Sequence, residues 1–233
     1  MNVLDIIILA VLFMSVVYGL YHGFVQTVFS LGGSLLSLGA AFLFGPRLAK
    51  VIGAIPSVAD TLATYTDAIA RVGDFDLAST RVSGLSANVV DTVIKSVSLP
   101  EPIANILRGN LVGESFAGTS YVTVNDYVSG TIVSVALQVL SFLIVFAAAY
   151  LVILILMGFV RHIVQFPILK QMDWLFGGLL GLARGALIVY LLLLVMPLVE
   201  TIVPAAGLSQ VLGESRLADT FTSIPLFLKV VGS

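Results

Sequence analysis

The sequence predicts an all-α integral membrane protein: a four-helix transmembrane bundle with amphipathic helices in the long loop between spans two and three. Three observations lead there. The 233 residues are 59% hydrophobic and 10% charged, with a mean hydropathy of +1.11, whereas a soluble domain carries about 25% charged residues. Four apolar stretches reach the roughly 20 residues that a helix needs to cross a bilayer. The segment between the second and third stretches keeps a helical spacing of apolar positions.

The first span covers about Val3 to Tyr21. No Lys or Arg precedes it and Asp5 occupies its flank, so it lacks the basic region of a secretory signal and reads as a retained helix. Phe24 to Phe44 forms the second span, entered through the short turn "YHGF". The third lies within Tyr127 to Val160, which holds no charged residue. It is longer than a crossing requires, so it should tilt or continue beyond the membrane. The fourth runs from about Leu175 to Val203, with Pro197 expected to kink it near its end. Residues 1–45 thus form a transmembrane hairpin, 46–126 an insertion and 127–205 the remaining two spans. Residues 206–233 form an amphipathic tail, with Val211, Leu212, Phe221 and Ile224 apolar and Pro225 breaking it.

Within the insertion, Val82, Leu85, Val89, Val93 and Val97 share one helical face, and Asp91, Lys95 and Ser98 share the other. Leu48, Val51, Ile55, Leu62, Tyr65, Ile69 and Val72 make a similar stripe, interrupted at Pro56. Asp67 and Arg71 are spaced as an i,i+4 ion pair. Pro100 and Pro102 break the chain before a further short apolar segment. Two or three amphipathic helices are expected, lying on the membrane surface or capping the bundle. A small soluble helical cap follows from the same pattern. The short loop between spans three and four carries Arg161, His162 and Lys170, and positive short loops stay cytoplasmic. That puts both termini and the insertion outside, in a multi-pass protein of the cytoplasmic (inner) membrane.

Apolar helices gain little from hydrophobic exclusion in lipid; they associate where small residues let backbones approach. Ser15, Gly19 and Gly23 recur every fourth position in span one. Gly33, Ser37, Ala41 and Gly45 do so in span two, and Gly177, Gly181 and Gly185 in span four. Each set is expected to form a flat packing strip, within the chain or between copies of it.

Three charges are candidates for a function: Asp5, Asp173 and Arg184. Arg184 lies about 10 Å beyond Gly177 at 1.5 Å per residue. It either snorkels to a lipid phosphate or faces the bundle and meets a carboxylate or helix carbonyl ends. Asp173 is expected to cap the start of its own helix. Asp5 reads as a helix-start carboxylate, with an ion or proton site as the alternative. His22 reads as a turn residue with pH sensing as the alternative, Gln138 as a hydrogen-bonding group between helices and Trp174 as an interfacial anchor. No catalytic, cofactor or metal site emerges: His22 and His162 sit at loop ends without ligand spacing, there are no cysteines, and no Walker loop is present. A net charge of -2 without a basic run gives nucleic acid no footing. The expected partners are membrane lipids and a membrane protein or a second copy of the chain.

Asp5 at the start of an apolar helix, the turn Gly23-Phe24-Val25 and a second helix together resemble the start of colicin V production (CvpA) family proteins. Asp173, Gly177, Gly181, Arg184 and Gly185, followed by "ALIVYLLLL", resemble the same family more closely. The resemblance covers about residues 1–45 and 130–205 and leaves out most of the insertion; His22 stands where members commonly carry Arg. It implies an inner-membrane protein associated with toxin (colicin V) production and envelope homeostasis, with no defined reaction. The expected role is a non-enzymatic scaffold or accessory factor in toxin production or export and in envelope homeostasis. The alternative is a small-solute or ion transporter or channel subunit that uses Arg184 and Asp5.

Overall fold

A computed structural model describes residues 2–66, 68, 71–116, 121–163, 170–202 and 212–222, with only the backbone considered at 158–163 and 170–172. The secondary-structure elements among the described residues are helices: α1 (Val3–Gly53), α2 (Pro56–Tyr65), α3 (Phe75–Ser79), α4 (Ala87–Val97), α5 (Glu101–Val112), α6 (Val124–Ile163), α7 (Lys170–Ile202) and α8 (Arg216–Thr222), with one isolated bridge between Arg81 and Thr123. Three of them contain stretches long and apolar enough to cross a membrane: Val3–Gly53, Val124–Met157 and Asp173–Ile202.

α1 is one run of helix by sequence and two arms by geometry. Gly23 leaves the helical conformation at φ 77°, ψ 174°. A straight helix of 51 residues would be about 75 Å long, and residues 4 and 41 would lie far apart on it. Yet Leu4 and Ile8 cluster with Val189 and Leu193 of α7, while Ala41 clusters with Tyr190 and Leu194 of the same helix. Both arms therefore lie beside one stretch of α7, and the chain turns back at Gly23. The positive φ explains the residue: an L side chain there would press against its own backbone. The second arm also packs antiparallel on α6, with Gly33 against Ile153, Gly45 against Phe142 and Gly53 against Leu137.

Outward, Ile6, Phe13, Met14, Leu36, Leu43, Leu151, Ile155 and Leu179 are all exposed. On a soluble protein such a belt would be an aggregation hazard; on a membrane protein it is the surface that meets lipid.

The insertion folds into α2–α5 and turns the Val82–Val97 stripe inward, while Val51, Ile55 and Tyr65 of the other stripe are exposed. Val82, Val90, Val93, Val97, Leu107 and Leu111 are buried in one core with Val124, Val128 and Ile132 from the first turns of α6. The apolar face of α4 is thus covered by α5 and α6. The length of the third apolar stretch beyond one crossing is used here, as α6 starts at Val124, earlier than the apolar run alone marks. Thr123 and Asp126 close that start reciprocally: Asp126 accepts from the N–H groups of Val122 (3.0 Å) and Thr123 (2.9 Å), and its own N–H donates to Thr123 Oγ1. Pro56 opens α2, and Pro102 sits in the first turn of α5, where a missing N–H costs nothing. α7 continues through Pro197, whose carbonyl accepts from Thr201 Oγ1 at 2.8 Å.

Asp67 lies outside the described residues, so its pairing with Arg71 does too. Arg71 donates to the carbonyl of Thr201, near the end of α7, and weakly to that of Thr66. A cation at this end of a helix complements its dipole. Of the tail, Leu212 and Phe221 pack on the helices, while Val211, Ile224 and Pro225 lie outside the described residues, as do the side chains of Arg161, His162 and Lys170.

Leu107 is fully buried between α4 and α6. Leu107→Ala is expected to destabilise the insertion by about 2–5 kcal/mol. Hydrogen exchange on the purified protein should show lost protection across 82–132; protection unchanged there would mean that these helices do not share a core with α6.

Candidate functional site

The ten small residues singled out in the sequence all lie buried, and they meet in two seams. In the first, α7 runs antiparallel to the first arm of α1. A Cβ on Gly19 would collide with the carbonyl of Gly177, and one on Gly181 with the carbonyl of Ser15. A Cβ on Gly185 would press on the Ser15 side chain and Leu12. Backbones this close leave no room for even one methyl group. Ser15 adds a cross-helix hydrogen bond, its Oγ donating to the carbonyl of Gly181 at 2.7 Å. The second seam joins the second arm to α6 through Gly33 and Gly45, with Ser37 and Ala41 fully buried on the same arm.

Asp173 is not the N-cap residue of its own helix. α7 starts at Lys170, so Asp173 already sits in the first turn. Its Oδ1 accepts from the N–H of Phe24 at 2.8 Å, one of the orphan donors at the start of the second arm. The carboxylate fills the space where a Cβ on Gly23 would be. Thr27 Oγ1 donates back to the Gly23 carbonyl at 2.7 Å. The sequence signal for this cap was weak, because donor and acceptor are 149 residues apart.

Asp5 lies at the opposite end, 4% exposed. Its Oδ2 accepts from the N–H of Asn2 at 3.0 Å, closing the start of its own helix. Its Oδ1 accepts from Ser215 Oγ at 2.6 Å and from the N–H of Leu217 at 3.3 Å. Ser215 Oγ in turn accepts from the N–H of Ala218. One carboxylate therefore serves the starts of both α1 and α8.

Arg184 is half-buried and meets neither a carboxylate nor a carbonyl among the described residues. Its guanidinium lies over the ring of Tyr18, 4.3 Å from the centroid. The antiparallel packing explains the meeting: each side chain leans toward the N-terminus of its own helix, so the two lean toward each other. His22 stacks on the same Tyr18 at 3.8 Å between centroids, and its Nδ1 lies 3.0 Å from the Tyr18 carbonyl. Arg184 lines a cavity of about 150 Å³ with Tyr18, Gln26, Ser30, Tyr150 and Ile153, among others. A charge at the centre of a spanning helix costs about 2.5–3.5 kcal/mol on insertion scales. A cation–π contact contributes about 0.5–2 kcal/mol, so Tyr18 offsets only part of it. Trp174 is exposed beside Asp173 at the turn end of α7.

Two outcomes follow. Gly181→Ala is expected to lower the thermal unfolding midpoint in detergent. Gly32→Ala has nothing within 4 Å of the new methyl group and is expected to be neutral or stabilising by up to about 1 kcal/mol. Equal effects would mean that the seam is not close-packed. Asp173→Ala is expected to cost about 0.5–2 kcal/mol, and Gly23→Ala should cost less in that background than alone. A double-mutant cycle measures this; additivity would separate the two residues.

Comparison with known proteins bears on the same elements. The family model described as "Colicin V production protein" matches residues 4–99 and 106–225. That extends the likeness across most of the insertion, beyond the two end segments in which the sequence resemblance was read. The chain is also 24% identical over 216 residues, 93% of its length and 87% of the relative's, to YshB, an uncharacterized transmembrane protein of Bacillus subtilis (strain 168). No solved structure matches. With the turn at Gly23, the Asp173 cap and the glycine seam all inside the matched residues, the chain belongs to the colicin V production protein family.

Proposed function

We propose that this chain is a scaffold or accessory factor of the cytoplasmic membrane, acting in toxin production or export and in envelope homeostasis through protein partners rather than by a reaction of its own. The observation that carries the reading is how two of its carboxylates, Asp5 buried and Asp173 half-buried, are used. Asp5 and Asp173 each hold two elements together, which makes them parts of a rigid frame. The frame presents the folded insertion at one end. In this reading the two arms of α1 cross separately, giving four crossings with α6 and α7. The reversal at Gly23 supports this, because residues 4–8 and 41 lie at one level of α7. Both termini and the insertion then share the extracytoplasmic side, and the Gly23 turn and the 164–169 loop share the other.

A second reading, a small transporter or channel subunit, draws on the Arg184 cavity. Asp5 gives it less support, since hydrogen bonds to Asn2, Ser215 and Leu217 already engage that carboxylate.

Purified protein in liposomes separates the two. The scaffold reading expects no flux of ions or small solutes, together with membrane-protein partners recovered by crosslinking in cells through the 46–126 segment. Flux that Arg184→Ala abolishes in a still-folded protein would favour the transporter instead. Reporter fusions at the 164–169 loop and at the C-terminus should report opposite sides; the same side would rule out four crossings.

A further inference from the structure

We propose that the Arg184 cavity is a binding site for a phosphate group, held by the guanidinium inside the helix bundle and supplied by an anionic lipid whose chains leave along α6. The inference stands apart from the choice between scaffold and transporter.

Arg184 brings the only formal charge among the described residues that line the cavity. Tyr18 covers one face of the guanidinium. The N–H donors lie in the guanidinium plane, so stacking leaves its edge free for a two-pronged contact with phosphate oxygens. Among the described residues no acceptor takes up those donors. Gln26, Ser30 and Tyr150 add an amide and two hydroxyls to the cavity wall. All of them can donate to an anion.

The remaining wall is apolar. Ile153, Leu154 and Met157 of α6 line the cavity, and Leu154 is 45% exposed. Leu151 and Ile155 continue that apolar surface outward. A cavity of about 150 Å³ takes a phosphate group and its immediate substituent but not acyl chains. The chains must therefore lie outside it, against α6. One cation and a few polar side chains set in a mostly apolar wall, beside an apolar track, fit an anionic amphiphile better than a free anion. Free inorganic phosphate shares the headgroup chemistry, and the test keeps the two sources apart.

The test is equilibrium binding of radiolabelled dioleoyl phosphatidylglycerol to the full chain in dodecyl maltoside. Unlabelled phosphatidylglycerol should displace the label saturably, and dioleoyl phosphatidylcholine should not. Arg184→Gln should weaken binding by about tenfold or more, as expected for losing a charge-assisted pair. Gln26→Leu, elsewhere in the cavity lining with Arg184 intact, should weaken it less. If millimolar sodium phosphate competes, the site accepts free phosphate as well; if it does not, the lipid is the source. Phosphatidylcholine competing as well as phosphatidylglycerol would overturn the site, and so would an absence of saturable binding or wild-type affinity in Arg184→Gln. Should Arg184→Gln fail to elute as folded protein, Arg184→Lys and Gln26→Leu carry the test. Lys keeps the charge without the fork, and unchanged affinity in both variants would equally overturn the proposal.

Discussion

The approach of two backbones at Gly19 and Gly177 is the constraint on which the rest of the bundle depends. In water, helices are pushed together because apolar surface leaves the solvent. In a bilayer the lipid is as apolar as the helices, and that push is gone. What remains is close contact and hydrogen bonding, both of which fall off steeply with distance. The first arm of α1 and α7 meet this demand by having no side chain at the crossing and by placing Ser15 Oγ on the Gly181 carbonyl. Once α7 is fixed there, Asp173 reaches Gly23, and the second arm starts where that carboxylate can cap it.

The charged residues divide by place. Those near helix ends act as fasteners between elements. Asp173 closes the start of the second arm, Asp5 the starts of α1 and α8, and Asp126 the start of α6. Arg71 sits on a carbonyl near the end of α7. Each satisfies backbone groups that a helix end leaves orphaned, and orphans are costlier near hydrocarbon than in water. Arg184 differs from all of these. It lies in the middle of α7, a turn or more from any helix end, with an aromatic face as its described contact.

How much of this could be read from the sequence follows from the range of each interaction. The apolar stretches and the four-residue ladders are local periodicities, so their positions were legible. Their partners were not, because nothing in a ladder says which helix it faces. Asp173 shows the limit. Reading locally, an acid just before an apolar run serves the start of that run, but α7 begins three residues earlier and the carboxylate also accepts from a backbone N–H across the fold. The stripe from Val82 to Val97 was equally legible, and its direction was not. An amphipathic helix has the same pattern whether it faces lipid or a protein core. A clue was present in the excess length of the third apolar stretch, whose first turns supply the surface that covers the stripe.

The insertion and the bundle share structure rather than a tether. α6 places Val124, Val128 and Ile132 in the core of the insertion and Val135, Val139 and Phe142 in the core shared with α1 and α7. Leu99 packs against both clusters, and Ile103 of α5 is buried in the second. Packed interiors transmit displacement because they hold few voids to absorb it. A partner that engages the insertion would therefore load α6 directly, and α7 through Arg71 and Thr201. α7 carries both the glycine seam and Arg184, so packed helices connect the insertion to the wall of the cavity. This connection follows from one helix being long enough to serve two cores.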